Sequence, residues 1–247
     1  MQNIILILLL VLTVTFFTRG LYAQFTTDLE QAKAPVVVEL FTSQSCSSCP
    51  PADRILQELA KQENVIALGC HVSYWNHLHW KDTVSNEFCD IRQHGYGAYN
   101  GTKRVYTPQM VVNGTHEFVG SHSSAVNAAL KSVENAPLKP IQIEEKPDGT
   151  LAFTLPSADL GSYRLWAFGY THKVHEDIPS GENRGRTLSY SNPVHTYTNL
   201  GSWDGQSAIH KFNKPSETLD GIAILAQQGG YGQIIAAGKL VFDPVSN

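Results

Sequence analysis

Along the chain the apolar positions first run unbroken, then alternate between strand-like and helix-like spacing, and finally settle into short runs punctuated by Gly, Pro and Asp. "APVVVELFTS" is a β-branched apolar run of strand length, of the kind a strand covered on both faces carries. In "PPADRILQELAKQ", Ile55, Leu56, Leu59 and Ala60 recur at helical spacing, and Pro50 and Pro51 are tolerated because they open the helix. That helix is predicted to begin at about Cys49. "NVIALGCHVSYW" reads as a second buried strand, and a strand, helix, strand order of this length predicts a parallel unit.

A polar and aromatic stretch follows, with a helix predicted around Asn86 to His94. In "VYTPQMVVNGTHEFVGS" two short strands flank Asn113-Gly114, a two-residue hairpin signal because both residues tolerate positive φ. "SSAVNAALKSVE" closes this part as an amphipathic helix. Pro137 and Pro140 then punctuate the chain, and after Ile141 the runs shorten and alternate with turns, which predicts a separate all-β sandwich. The expected organisation is 1–23 a signal peptide, 24–136 an α/β domain and 137–247 a β-sandwich-like domain.

Composition narrows the classes of partner. The chain has 247 residues, 42% of them apolar, enough to bury a core without help. Charged residues make up 16%, the formal net charge is -4 and no basic block occurs, so neither nucleic acid nor an anionic membrane surface is an expected partner. The start of the chain is uncharged from Ile4 to Thr18, followed by Arg19 and a small residue, Ala23. This is a secretory signal pattern, with an uncleaved anchor as the alternative. No stable membrane insertion is expected after cleavage, and the expected location is exported, periplasmic or secreted.

Export changes the chemistry open to the cysteines, because disulfides persist outside the cytosol. Of Cys46, Cys49, Cys70 and Cys89, the two-residue gap makes Cys46 and Cys49 the local pair. At a strand-to-helix turn, Cys46 would lie near unpaired amides of Ser47, Ser48 and Cys49 that lower its pKa, and Cys49 would resolve the mixed disulfide. Cys70 and Cys89 are either small core residues or a second disulfide pinning the later helix to the sheet. Two rival uses of the first pair stay open. One is a soft copper or zinc site with His71, His77 or His79, although the spacing of those histidines is irregular. The other is a structural disulfide in a non-catalytic binding protein.

Strand, Cys-x-x-Cys and helix, then Tyr106-Thr107-Pro108 before a strand, then the "QMVVNGTHEF" hairpin and a closing helix, together resemble a thioredoxin-fold domain over Val36 to about Glu134. "ELFTSQSCSSCPPAD", "HVSYW" with "WKD", "VYTPQMVVNG" and "GENRGR" more closely resemble a secreted thioredoxin-like family known as a domain of unknown function. The resemblance implies an α/β thioredoxin-like domain followed by an all-β sandwich-like domain, with Pro108 cis and facing the disulfide and Thr107 as its tuning neighbour. It also implies a thiol-disulfide oxidoreductase acting on protein thiol or disulfide substrates, with a separate redox partner and no organic cofactor. Ser47-Ser48 stand where thioredoxins have Gly-Pro, and Ser73, Asn76 and His79 depart from the acids and small residue expected in that family.

Glu39 matches the buried acid of thioredoxins only with one extra residue before Cys46, which makes it a candidate proton acceptor for Cys49 or else a surface glutamate. Tyr74, Trp75, Trp80, Tyr96 and Tyr99 are candidates for the wall of a substrate groove or for core packing. Glu182, Asn183, Arg184 and Arg186 read as a solvated turn or as a bridge between the two halves. Sequons occur at Asn100 and Asn113, the second better explained by its turn.

Overall fold

The computed structural model describes residues 34–77, 80–216 and 218–242. The expected signal peptide and His79 lie outside them. The first sheet is built on β1 (Val36–Thr42), which pairs in parallel with β2 (Val65–His71) and antiparallel with β3 (Gln109–Val112). β4 (His116–Val119) returns along β3 through Asn113 and Gly114, both at positive φ, giving the order β2-β1-β3-β4.

Helix α1 (Pro50–Ala60) connects β1 to β2 and starts on its two prolines, where no intrahelical N–H is lost. Its buried stripe, Ala52, Leu56 and Leu59, packs with Val126, Ala129 and Val133 of α3 (Ser123–Val133) against Val38, Leu40, Ala67 and Met110. Because strand side chains alternate, Val37, Ile66 and Leu68 point to the opposite face of the same sheet. Helix α2 (Glu87–Tyr99) is anchored to β2 by a disulfide between Cys70 and Cys89, set in an apolar cluster with Phe41, Val72, Tyr96 and Val111.

The second half supplies three further sheets. Strands β5 (Lys139–Pro140), β8 (Tyr163–Tyr170), β11 (Val194–Trp203), β13 (Gly221–Gln228) and β14 (Ile234–Val241) form one in the order β11-β8-β13-β14-β5. Strands β6 (Gln142–Glu145), β7 (Thr150–Leu155) and β12 (Ala208–Asn213) form a second in the order β12-β7-β6. A two-stranded arm, β9 (Lys173–Asp177) and β10 (Thr187–Ser191), forms the last.

The five-stranded sheet is covered on both faces, and the alternation of its residues shows it. Leu165, Ala167, Ile222, Ile224 and Ala226 pack against Leu151, Phe153 and Leu155 of the three-stranded sheet. Trp166, Phe168, Ala223 and Leu225 pack against Val37, Ile66 and Leu68 of the first sheet. The second half therefore shares a core with the first, and the described chain forms one unit from Ala34 onward.

These findings correct the expected fold class, an α/β thioredoxin-like domain followed by an all-β sandwich. The described chain is mostly strand, spread over several sheets, and carries three short helices of 11, 13 and 11 residues. The helical periodicity is real, but it accounts for a small share of the residues, and the cysteine-bearing sheet has α1 and α3 on one face and the five-stranded sheet on the other. Among the described residues no helix is long and apolar enough to cross a membrane.

Candidate functional site

β1 ends at Thr42, and the chain turns through Ser43–Ser48 before Cys49 caps α1. Cys46 and Cys49 are joined in a disulfide, with Cα atoms 5.5 Å apart. The turn is held by Cys46 N donating to Ser43 O at 3.1 Å and Cys49 N donating to Cys46 O at 3.2 Å. The Cys46 sulfur lies 3.3 Å from the Ser48 hydroxyl. Neither cysteine belongs to an apolar cluster, in contrast to Cys70 and Cys89.

A polar shell surrounds this turn. Gln44, fully buried, donates its main-chain N–H to Asp82 at 2.8 Å and accepts at its side-chain oxygen from Trp80 Nε1 and Thr83 N. The tip of the β9–β10 arm lies over the cysteines. Asn183 donates through Nδ2 to Gln44 O and to Cys46 O, each at 2.9 Å, and Arg186 donates to Asn183 Oδ1 at 3.0 Å. Glu182 accepts from Ser47 N at 3.0 Å, so a carboxylate occupies an amide expected to serve the thiolate. Hydrogen bonds from Ser47 hold Glu182 below the usual carboxylate range. With the arm in place Cys46 is 1% exposed and Cys49 is fully buried.

Thr107-Pro108 is a cis peptide. Gln109, the next residue, pairs with Phe41, so Pro108 enters the sheet at the end from which β1 leaves toward Cys46. Trp75 donates through Nε1 to the Thr107 hydroxyl at 2.9 Å. Trp75 and Trp80 are half-buried, Tyr96 is buried and Tyr99 is exposed.

Glu39 is not among the groups near the cysteines. It belongs to the face of β1 shared by Val37 and Phe41, away from α1, and it is 1% exposed. Both its oxygens are engaged by Arg92, through Nε and through Nη2 at 2.8 Å, and it also accepts from the Tyr96 hydroxyl. Gln227 of β13 closes this network through Arg92 and Tyr96, which ties the second half to the first.

The acid on the cysteine side is Asp53, one helical turn after Cys49 on the buried stripe of α1. The Thr42 hydroxyl donates to Asp53 Oδ1 at 2.8 Å. Burial raises Asp53 to about 7, against the opposing charge of His71 and the Thr42 hydrogen bond. His71 Nδ1 lies 2.8 Å from Asp82 Oδ2, and the His71 ring meets the Tyr190 ring edge-on at 4.6 Å. Burial pulls His71 down, but the charge and hydrogen bond of Asp82 and the charge of Asp53 outweigh it, and its net shift is upward. Burial likewise pushes Asp82 up, but the His71 charge and hydrogen bond and the amides of Gln44 and Val84 leave it lowered.

His71 is thus a buried ion-pair partner. His77 is exposed, with Nδ1 2.8 Å from Tyr74 O. Among the described residues no group of three or more His, Cys, Asp and Glu side chains is placed to hold a metal ion. Asn113 is 4% exposed and accepts from Val37 N, whereas Asn100 is exposed at the end of α2.

A family model described as "Protein of unknown function (DUF1223)" matches residues 37–227, and the chain belongs to that family. A protein from Agrobacterium tumefaciens, solved by X-ray crystallography, is similar at 28% identity and a TM-score of 0.74, over 88% of this chain and 98% of that one. HBP35 of Porphyromonas gingivalis is similar in fold, with a TM-score of 0.56 at 15% identity, over 87% of this chain and 78% of that one. No curated protein matches the chain.

Proposed function

We propose that the protein is an exported thiol-disulfide oxidoreductase that exchanges dithiol for disulfide with extracytoplasmic proteins. The observation that carries this reading is the contrast between the two disulfides. Cys70–Cys89 lies in apolar packing and closes a separation of 19 residues, which is what a stabilising cross-link does. Cys46–Cys49 closes a separation of 3 residues in a polar turn at a helix start, where it removes little chain entropy and where thiolate chemistry is favoured.

In the reduced protein, the Cys46 thiolate attacks a substrate disulfide. A Cys46–substrate bond forms, the substrate S–S bond breaks and one substrate sulfur leaves as thiolate. Cys49 loses its proton and attacks the Cys46 sulfur, which restores Cys46–Cys49 and releases the second substrate thiol. Two electrons have passed to the substrate, and a separate dithiol partner returns them. Run backward, the same steps oxidise a substrate dithiol. Substrate access requires the arm tip to leave, and the contacts that hold it over the cysteines are the hydrogen bonds that Asn183 donates and the one that Glu182 accepts. Gly181 and Gly185, both at positive φ, flank that tip.

A Cys49→Ser variant expressed in its own compartment tests the reading, because it cannot resolve the mixed disulfide. Recovery of Cys46 bonded to partner proteins is the expected result. The near-complete burial of Cys46 favours one second reading, a closed cross-link in a non-catalytic binding protein. That reading takes over if Cys46 traps nothing and the native disulfide resists a soluble dithiol.

A further inference from the structure

Resting on the exchange reading above, we propose that Asp53 is the proton acceptor and donor for Cys49, with His71 and Asp82 positioning and tuning it. The need for such a group follows from the chemistry. When the mixed disulfide is resolved, Cys49 must lose a proton before its sulfur can attack Cys46, and Cys49 is fully buried, so bulk water does not collect it.

Glu39, the acid that the sequence puts forward, is bound to Arg92 on the far face of β1. Asp53 lies four residues after Cys49. The helical geometry at Cys49, with Ala52 N and Asp53 N both donating to its carbonyl, sets the two Cβ atoms about 6 Å apart on one face. Side chains on a helix lean toward its N-terminus, so the Asp53 side chain leans toward the turn that carries Cys49.

Asp53 also has an outlet. A cleft of about 220 Å³ between α1 and β10 is lined by Pro50, Asp53, Arg54, Gln57, Leu188 and Ser189. A proton taken from Cys49 passes to the departing substrate thiolate or leaves through this cleft, and the count of protons and electrons closes either way.

The groups facing Asp53 come from several elements: Thr42 on β1, His71 on β2, Asp82 in the segment before α2, Tyr190 on β10 and Arg54 on its own helix, with Glu176 of β9 acting on Tyr190. Two of these groups carry buried polar atoms without a hydrogen-bond partner, His71 Nε2 and the Tyr190 hydroxyl. Both atoms are open to a further hydrogen bond on the side of the cluster that Asp53 shares. The charge on His71 also keeps Asp53 from rising further, so its proton affinity sits near neutrality, where acceptance and return are both feasible.

The test uses the reduced chain from Gln24 onward and a chromogenic aromatic disulfide. One chromophore is released when Cys46 attacks and a second when Cys49 resolves, so the two steps separate. In the wild type, the second step is expected to show an inflection near pH 7. In Asp53→Asn, the second step is expected to slow by about a hundredfold and to lose the inflection while the first is unchanged. Thr42→Val guards against a misfolded Asp53→Asn: losing the donor raises Asp53, so the inflection moves to higher pH. An inflection that persists unmoved in the folded variants overturns the assignment to Asp53 and leaves the exchange reading intact. Absence of either chromophore from the wild type at every pH overturns both.

Discussion

The side-chain amide of Asn183, at the tip of the β9–β10 arm, donates to the main-chain carbonyl of Cys46, 137 residues earlier in the chain, at 2.9 Å. The same nitrogen reaches Gln44 O, so one residue closes the arm over the disulfide. Replacing Asn183 with Ala removes both bonds and leaves two carbonyls to find new donors. Each bond contributes about 1 kcal/mol, so the open form becomes roughly 5 to 30 times more populated. The expected outcome is a proportionate rise in the rate at which a small phosphine reduces Cys46–Cys49. Cys70–Cys89, held in apolar packing away from the arm tip, serves as the internal control. Alkylation followed by peptide mass spectrometry reads both bonds, and equal rates in variant and wild type would show that the arm does not gate access.

The buried Glu39–Arg92 pair makes a separate prediction about stability. Both side chains are essentially unexposed, and each answers the other's charge. Arg92→Met strands the Glu39 carboxylate and is expected to cost about 3–5 kcal/mol in denaturant unfolding. Replacing both residues together with Glu39→Leu and Arg92→Met removes the stranded charge and is expected to restore most of that loss. A double variant as unstable as the single one would show that the network acts through packing with Tyr96 and Gln227 and not through charge.

The two disulfides should separate in a thermal melt. Removing Cys70–Cys89 by paired Cys→Ser changes opens a separation of 19 residues and is expected to cost roughly 3 kcal/mol. The paired change at Cys46 and Cys49 opens a separation of only 3 and is expected to cost much less. The reverse order would make the Cys-x-x-Cys bond the structural one and defeat the exchange reading.

The sequence made individual elements legible where a single period ruled. β1, α1, β2, α3 and the Asn113-Gly114 hairpin stand close to where their patterns put them. Architecture was less legible, because "GIAILAQQ" and "YRLWAFGY" are apolar on both sides and the pattern does not say what covers the second face. That face meets the first sheet, so the halves share a core. At the site, the cysteine pair and the "GENRGR" turn stood out; of its two readings, solvated turn or bridge, the bridge is the one formed, through Asn183 and Glu182 with Arg186 bracing Asn183. Asp53 had a readable signal that spacing alone supplies, an acid on the apolar stripe of a helix four residues after Cys49. His71, Asp82 and Tyr190 meet through tertiary contacts across distant segments and had no such signal.

Asp53 links the site to the pH dependence of folding. Burial raises its folded-state value from 3.8 to about 7, so from about pH 4 to about pH 7 the native protein keeps a proton that the unfolded chain gives up. The contribution is therefore fully present below the unfolded value and is lost as pH rises through the folded one. Above about pH 7 the wild type carries a buried carboxylate at a penalty of a few kcal/mol. Asp53→Asn cannot ionise and still accepts from Thr42, so it is expected to match the wild type near pH 4 and to be more stable above pH 7. His71, raised in the fold, loses its contribution as pH climbs above its ordinary range, and Asp82, lowered, loses its own only at acid pH. Asp53 and His71 act on each other, so the difference between the two unfolding free energies reports Asp53 together with its coupling to His71. Lost stability is a recurrent cost of activity, and the proton-transfer role gives this penalty a use. An Asn variant less stable than wild type across the whole range would mean that Asp53 is a structural anchor, and the proton-transfer role would lose its physical basis.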